Sequence, residues 1–133
     1  MYDQLRILIV DDSRIIRQIV RTTLLEMGIG WVDEADDGYD ALSTLDSDPY
    51  DLVLLDWAMP KMNGLQLLKL LRGKDGPNKG VYIIMVTAES HKENIVVAVK
   101  SGANDYVVKP FQTETLRHKI ETGLAKAMAA RRD

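Results

Sequence analysis

The stretch "DLVLLDWAMPKMNG", residues 51–64, decides how this chain folds. Leu52, Val53, Leu54 and Leu55 form an unbroken apolar run, the pattern of a parallel strand covered on both faces. The run stops on Asp56, a carboxylate where a core residue is expected. Pro60 and then Asn63-Gly64 follow, which are turn and helix-start residues. A carboxylate at the end of a chain's most apolar strand is better placed for chemistry than for packing.

Working outward, similar short runs recur, each followed by helical spacing. Upstream, Leu5–Val10 reads as strand 1. Ser13 caps a helix that carries Ile15, Ile16, Ile19, Val20, Leu24 and Met27 on one broad face and ends at Gly28 and Gly30. Strand 2 is brief, over 31–35, and a short Ser/Asp-rich helix over about 39–45 is stopped by Pro49. Downstream of Gly64, Leu65, Leu67, Leu68, Leu70 and Leu71 make the third helix. "RGKDGPNKG" is a polar surface loop. Strand 4 spans 81–86, helix 4 about 92–101, closed by Gly102, and strand 5 spans 106–108. Helix 5 runs from about Thr113 towards Ala129, with Leu116, Ile120 and Leu124 four residues apart. Strict alternation of strand and helix gives an α/β fold with an open parallel sheet and right-handed crossovers.

Composition narrows the function classes. The chain has 133 residues, which suits one domain over 1–133, and a net charge of −3. No long basic run supports nucleic-acid binding. Cysteine is absent, which excludes disulfides, thiolate metal sites and cysteine nucleophiles. No stretch approaches the roughly 20 apolar residues of a membrane span, and the N-terminus lacks a signal-peptide pattern. A cytoplasmic protein with no membrane contact is expected. His91 and His118 read as surface residues, and the methionines as gap-fillers.

In open α/β sheets, ligands bind beyond the carboxyl ends of the strands. Asp11 and Asp12 leave strand 1, Asp56 leaves strand 3, Thr87 leaves strand 4 and Lys109 leaves strand 5. All five are expected on one edge. Three clustered carboxylates repel one another, each pair at ~4 Å by on the order of 4 kcal/mol at an effective dielectric near ~20. Oxygen ligands without His or Cys suit a hard cation, and few carboxylates suit Mg²⁺ better than Ca²⁺. Such a site, with a Lys and a Thr beside it, can bind a phosphoryl group, and a carboxylate within it can act as nucleophile.

"VDDS", "LLDWAMPKMNG", "MVTA" and "YVVKPF" are similar, in order and spacing, to the signatures of the bacterial two-component response-regulator receiver domain, over about residues 5–126. "VTAESHKENIVVAV…GANDYVVKPF" resembles the CheY-like, chemotaxis-type single-domain members. The resemblance implies a flavodoxin-like doubly wound (βα)5 fold, strand order 2-1-3-4-5, with helices on both faces. It implies a signalling switch, not a turnover enzyme, that takes a phosphoryl group on Asp56 from a sensor histidine kinase. Asp11, Asp12, Asp56 and the backbone carbonyl of Ala58 match the ligands of Mg²⁺, for which Mn²⁺ can substitute. Thr87 and Tyr106 match the switch pair, Lys109 matches the phosphate-pairing lysine, and Lys109–Pro110 matches a cis peptide bond. Phosphorylation is expected to reshape a partner surface on helix 4, strand 5 and helix 5, with Lys92, Ile95, Val99, Tyr106 and Lys119 as candidate contacts. Its target would be a downstream protein such as a flagellar motor switch component. Ala58 and Glu89 match positions that tune dephosphorylation and phosphatase partners, and Ala58 stands where related chemotaxis members usually have Asn. A stand-alone monomer is expected, with a receiver domain cut from a longer regulator as the alternative. An aspartyl phosphohydrolase is the rival from another class; it would need an acid two residues after the nucleophile, where this chain has Ala58.

Overall fold

The computed structural model describes residues 2–132, with side chains over 2–130. A short 3-10 turn, Tyr2–Gln4, precedes β1 (Arg6–Val10) and α1 (Arg14–Glu26). Then come β2 (Trp31–Ala35), α2 (Gly38–Ser47), β3 (Leu52–Leu55), α3 (Gly64–Gly73), β4 (Tyr82–Thr87), α4 (Lys92–Lys100), β5 (Asp105–Val108) and α5 (Thr113–Arg132). The strands form one parallel sheet in the order β2-β1-β3-β4-β5. The expected α/β architecture and strand order are those observed.

Alternation along the strands divides the core into two layers. Leu8, Val10, Val53, Leu55, Ile83 and Met85 face α2, α3 and α4, whose Ala41, Leu45, Leu67, Leu68, Leu71 and Ala98 complete that layer. Ile7, Ile9, Leu52, Leu54, Ile84 and Val86 face α1 and α5, meeting Val20, Leu24, Leu116, Ile120 and Leu124. All four residues of β3 are buried, so the run at 52–55 is the central strand its composition indicated. Each such leucine contributes roughly 2 kcal/mol by leaving water.

The register aligns the carboxyl ends. Val10 stands beside both Ala35 and Leu55, Leu55 beside Met85, and Thr87 beside Val108. The residues that follow these ends therefore emerge along one edge.

Several local expectations shift. The second helix is longer than 39–45 because the Asp37 side chain accepts from Asp40 N–H and starts it at Gly38. β4 is displaced by one residue, to Tyr82–Thr87, and β5 starts one residue earlier, at Asp105–Val108. In α1, only Val20, Thr23 and Leu24 are buried. Ile15 and Ile19, expected on the covered face, are 71% and 42% exposed. The face that meets the core runs through Ile16, Val20, Leu24 and Met27, and Ile15 and Ile19 lie to the side of it. Ser13 does cap the helix, accepting from Ile16 N–H at 3.3 Å. Helix 4 buries Ala98 alone among its residues.

Candidate functional site

Each acid at the carboxyl edge is fixed first by its backbone. Asp11 N–H donates to Ala35 O at 3.1 Å and Asp56 N–H to Val10 O at 2.9 Å, so β1, β2 and β3 are tied together where both carboxylates emerge. Lys109 N–H donates to Thr87 O at 2.8 Å, which fixes the end of β5 on β4. The Lys109–Pro110 peptide is cis. Past Asp56 the chain turns sharply, with Lys61 at φ 69°. It then enters α3 through Asn63, whose side chain accepts from Gln66 N–H while Gln66 caps Asn63 N–H in return. Gly64 N–H donates to Trp57 O at 2.8 Å, closing the loop on the strand end it left.

The side chains then meet. One carboxylate oxygen from each of Asp11, Asp12 and Asp56 lies within 4.8 Å of the others. Lys109 Nζ bridges two of them, at 2.7 Å from Asp11 Oδ2 and 3.3 Å from Asp56 Oδ2. Asp11 Oδ1 accepts from Ser13 N–H at 2.8 Å, so the residue read as a helix cap also supports the acid beside it. Asp11 and Asp56 are buried at 3% and 5% exposure, Thr87 is fully buried, and Asp12 is exposed. Ala58 is exposed at the same edge. The five residues expected to converge do so.

Burial, and next the negative charge of Asp11, push the Asp56 carboxyl above its ordinary value; the Lys109 ammonium and the Thr87 hydroxyl oppose this. One lysine does not offset three acids, and the donor set contains only oxygen. A small hard divalent cation fits it on both counts.

The raised Asp56 value has a consequence for stability. The folded state holds this proton more tightly than the unfolded chain does. Its contribution is fully present below the unfolded value near 3.8 and is lost as pH rises through the raised folded value. Metal-free Asp56→Asn is therefore expected to melt above the wild type at pH 7, with the gap closing towards pH 4. Thermal unfolding across that range checks both the sign and the closure.

A second group adjoins the first. Thr87 Oγ1 accepts from Glu89 N–H at 3.3 Å, and the Glu89 carbonyl accepts from the Tyr106 hydroxyl at 2.6 Å. One peptide segment thus separates the site's hydroxyl from the half-buried tyrosine on β5. Burial, with the charges of Glu89 and Asp56 adding to it, pushes the Tyr106 phenol up to about 12, so it stays neutral and remains a donor. The Glu89 carboxylate accepts from Asn94 Nδ2 at 3.2 Å, which ties this segment to α4.

The model for the response regulator receiver domain matches residues 7–121. The chain belongs to this family. It is similar to chemotaxis protein CheY-3 of Vibrio cholerae, 43% identical over 88% of this chain and 89% of the relative. It is likewise similar to CheY1 of Helicobacter pylori, 42% identical over 90% of this chain and 97% of that one. Among solved structures it resembles the response regulator TrrA of Thermotoga maritima in complex with Mg²⁺-BeF, with TM-score 0.79 and 37% identity over 91% of this chain and all of that one.

The outer surface of this receiver domain differs in detail from expectation. Of the residues assigned to a partner patch, Val99 is 52% exposed, Lys92 is exposed, and Tyr106 and Lys119 are partly covered. Lys119 pairs with Asp105 at 2.9 Å. Ile95 is half-buried because it lies one turn from Ala98, the residue that faces the sheet. Val96 and Val97, each 40% exposed, are the apolar side chains turned outward in its place. Sequence reasoning also passed over Arg17, which reaches the Asp11 carbonyl, and Glu34, which holds Arg17. The one signal for them is a basic residue on the first turns of α1 beside an acid at the end of β2.

Proposed function

We propose that this receiver domain is a phosphorylation-controlled switch in which Asp56 is the phosphoacceptor. The observation that carries this reading is the meeting of Asp56 with Asp11, Asp12 and Lys109 at one sheet edge. A carboxylate oxygen of Asp56 attacks phosphorus as the bond from phosphorus to a kinase histidine nitrogen breaks, and the imidazole leaves. Asp11, Asp12, Asp56 and the Ala58 carbonyl would hold Mg²⁺, which when bound supplies charge neutralisation for the phosphoryl oxygens. The Mg²⁺-BeF complex of the related TrrA supports this assignment. Lys109, already on Asp56, is positioned to accompany the added negative charge, and the Thr87 hydroxyl is the neighbouring donor.

The output follows from the second group. A phosphoryl group on Asp56 draws Thr87 and Lys109 towards it, and the Glu89 segment and Tyr106 respond to Thr87. The surface of α4, β5 and α5 then changes its affinity for a downstream protein. Similarity to CheY-3 and CheY1 supports a chemotaxis output, with a flagellar motor component as the target class. Ala58 carries no side-chain amide or acid with which to orient an attacking water, and Glu89, two residues after Thr87, carries an acid. These two positions are assigned to control of dephosphorylation.

The metal part is tested without phosphate. A cation that binds only the folded state raises stability. At Mg²⁺ tenfold above its Kd the gain is about 1.4 kcal/mol, on the order of 5 °C in Tm for a chain of this length. Asp12→Ala is expected to abolish that shift while raising the metal-free Tm, because one member of a repelling cluster is gone. A Mg²⁺ response that survives Asp12→Ala places the metal elsewhere.

A further inference from the structure

The main-chain carbonyl of Asp11 has a partner outside the sheet. Arg17 Nη1, from α1, donates to it at 2.7 Å. The Arg17 side chain is only 15% exposed, and its Nε donates to Glu34 Oε1 at 2.9 Å. The other oxygen of Glu34 accepts from Arg21 Nη1 at 2.9 Å. Glu34 sits on β2 immediately before Ala35, whose carbonyl accepts from Asp11 N–H. The Asp11 backbone is thus gripped twice, at its N–H by β2 and at its carbonyl by a guanidinium that β2 itself orients.

The carbonyl of Asp11 and the N–H of Asp12 belong to one planar unit. Holding that oxygen fixes the plane, and with it the direction in which Asp12 projects its carboxylate. Asp11 has side-chain supports of its own in Ser13 and Lys109. The Asp12 carboxylate is exposed and engages no hydrogen bond or ion pair among the described residues. It is aimed by its backbone alone. A guanidinium suits the task because its donors are set in a rigid plane, so one arm can hold the carbonyl while another is held by Glu34; a lysine ammonium lacks that fork.

We propose that Arg17 is a positioning residue for the carboxylate pair: braced by Glu34, it sets the Asp11–Asp12 peptide plane and so the affinity of the acidic cluster for Mg²⁺. This rests on reading that cluster as a metal site. The sign of the effect separates positioning from mere charge. A nearby positive charge repels a divalent cation, so if charge alone mattered, deleting Arg17 would tighten Mg²⁺ binding. Loss of positioning weakens it, and loss of an outer support to a metal site typically costs about 10–100-fold in affinity.

The test is calorimetric titration of MgCl₂ into the full chain as wild type, Arg17→Ala, Arg17→Lys and Arg21→Ala. Arg21→Ala removes the same charge from the far side of Glu34 while leaving the Asp11 carbonyl bound, and so supplies the charge-only baseline. Arg17→Ala is expected to bind Mg²⁺ roughly tenfold more weakly than wild type, Arg17→Lys in between, and Arg21→Ala equally or more tightly. If Arg17→Ala does not fold, Arg17→Lys carries the comparison. Wild-type or tighter affinity in both Arg17 variants overturns the proposal. A wild type that binds no Mg²⁺, or whose binding survives Asp12→Ala, removes instead the metal-site reading beneath it.

Discussion

Gly64→Ala is expected to lower stability by about 2–3 kcal/mol, as overpacking does, and to lower the melting temperature by on the order of 10 °C. The helix itself would welcome the change, since alanine is favoured over glycine within helices by up to about 1 kcal/mol. The cost lies across the loop. A Cβ at position 64 would overlap the carbonyl oxygen of Asp56 and stand 3.0 Å from Trp57 Cα. Both neighbours are backbone, so no side chain can swing aside. The two segments are also tied by the hydrogen bond from Gly64 N–H to Trp57 O. Relief therefore requires α3 to back away or the end of β3 to move, and that strand end carries Asp56. Urea or thermal unfolding measures the loss, and Mg²⁺ affinity should weaken with it. A wild-type midpoint would mean that the loop relaxes freely and that Gly64 is there only to start the helix.

Gly64 shows how much of this site was open to sequence reasoning. The run at 52–55 and its terminal acid were legible because a fully buried strand has a distinctive composition, and because the ends of parallel strands share an edge. Those two premises alone bring Asp11, Asp12, Asp56, Thr87 and Lys109 to one edge. Gly64 was legible as a turn and helix-start residue, yet its real constraint is the backbone of Asp56 pressed against it, which is a tertiary fact. Helix α1 failed in the same way. Its apolar residues at helical spacing implied one covered face, but that face runs through Ile16, Val20 and Leu24 and leaves Ile15 and Ile19 to its side. In α4, successive apolar residues left several choices of outward face. Burial of Ala98 decided the matter, turning Val96, Val97 and Val99 out and leaving Ile95 half-covered. Arg17 was one basic residue among Arg14, Arg17 and Arg21, and only the packing of α1 on β2 selects the one that reaches the Asp11 carbonyl.

The central claim concerns Asp56, and its expected effect is all or none. The chain is incubated with acetyl phosphate and Mg²⁺ and its intact mass is taken at once. A carboxylate nucleophile gains a single phosphoryl group, about 80 Da by composition, as the acyl–oxygen–phosphorus link of the donor breaks and acetate leaves. The adduct is expected to be stoichiometric in the wild type, dependent on Mg²⁺, and absent in Asp56→Asn. An adduct of the same mass in Asp56→Asn, or rapid multiple turnover of generic phosphomonoesters without any adduct, would contradict the account.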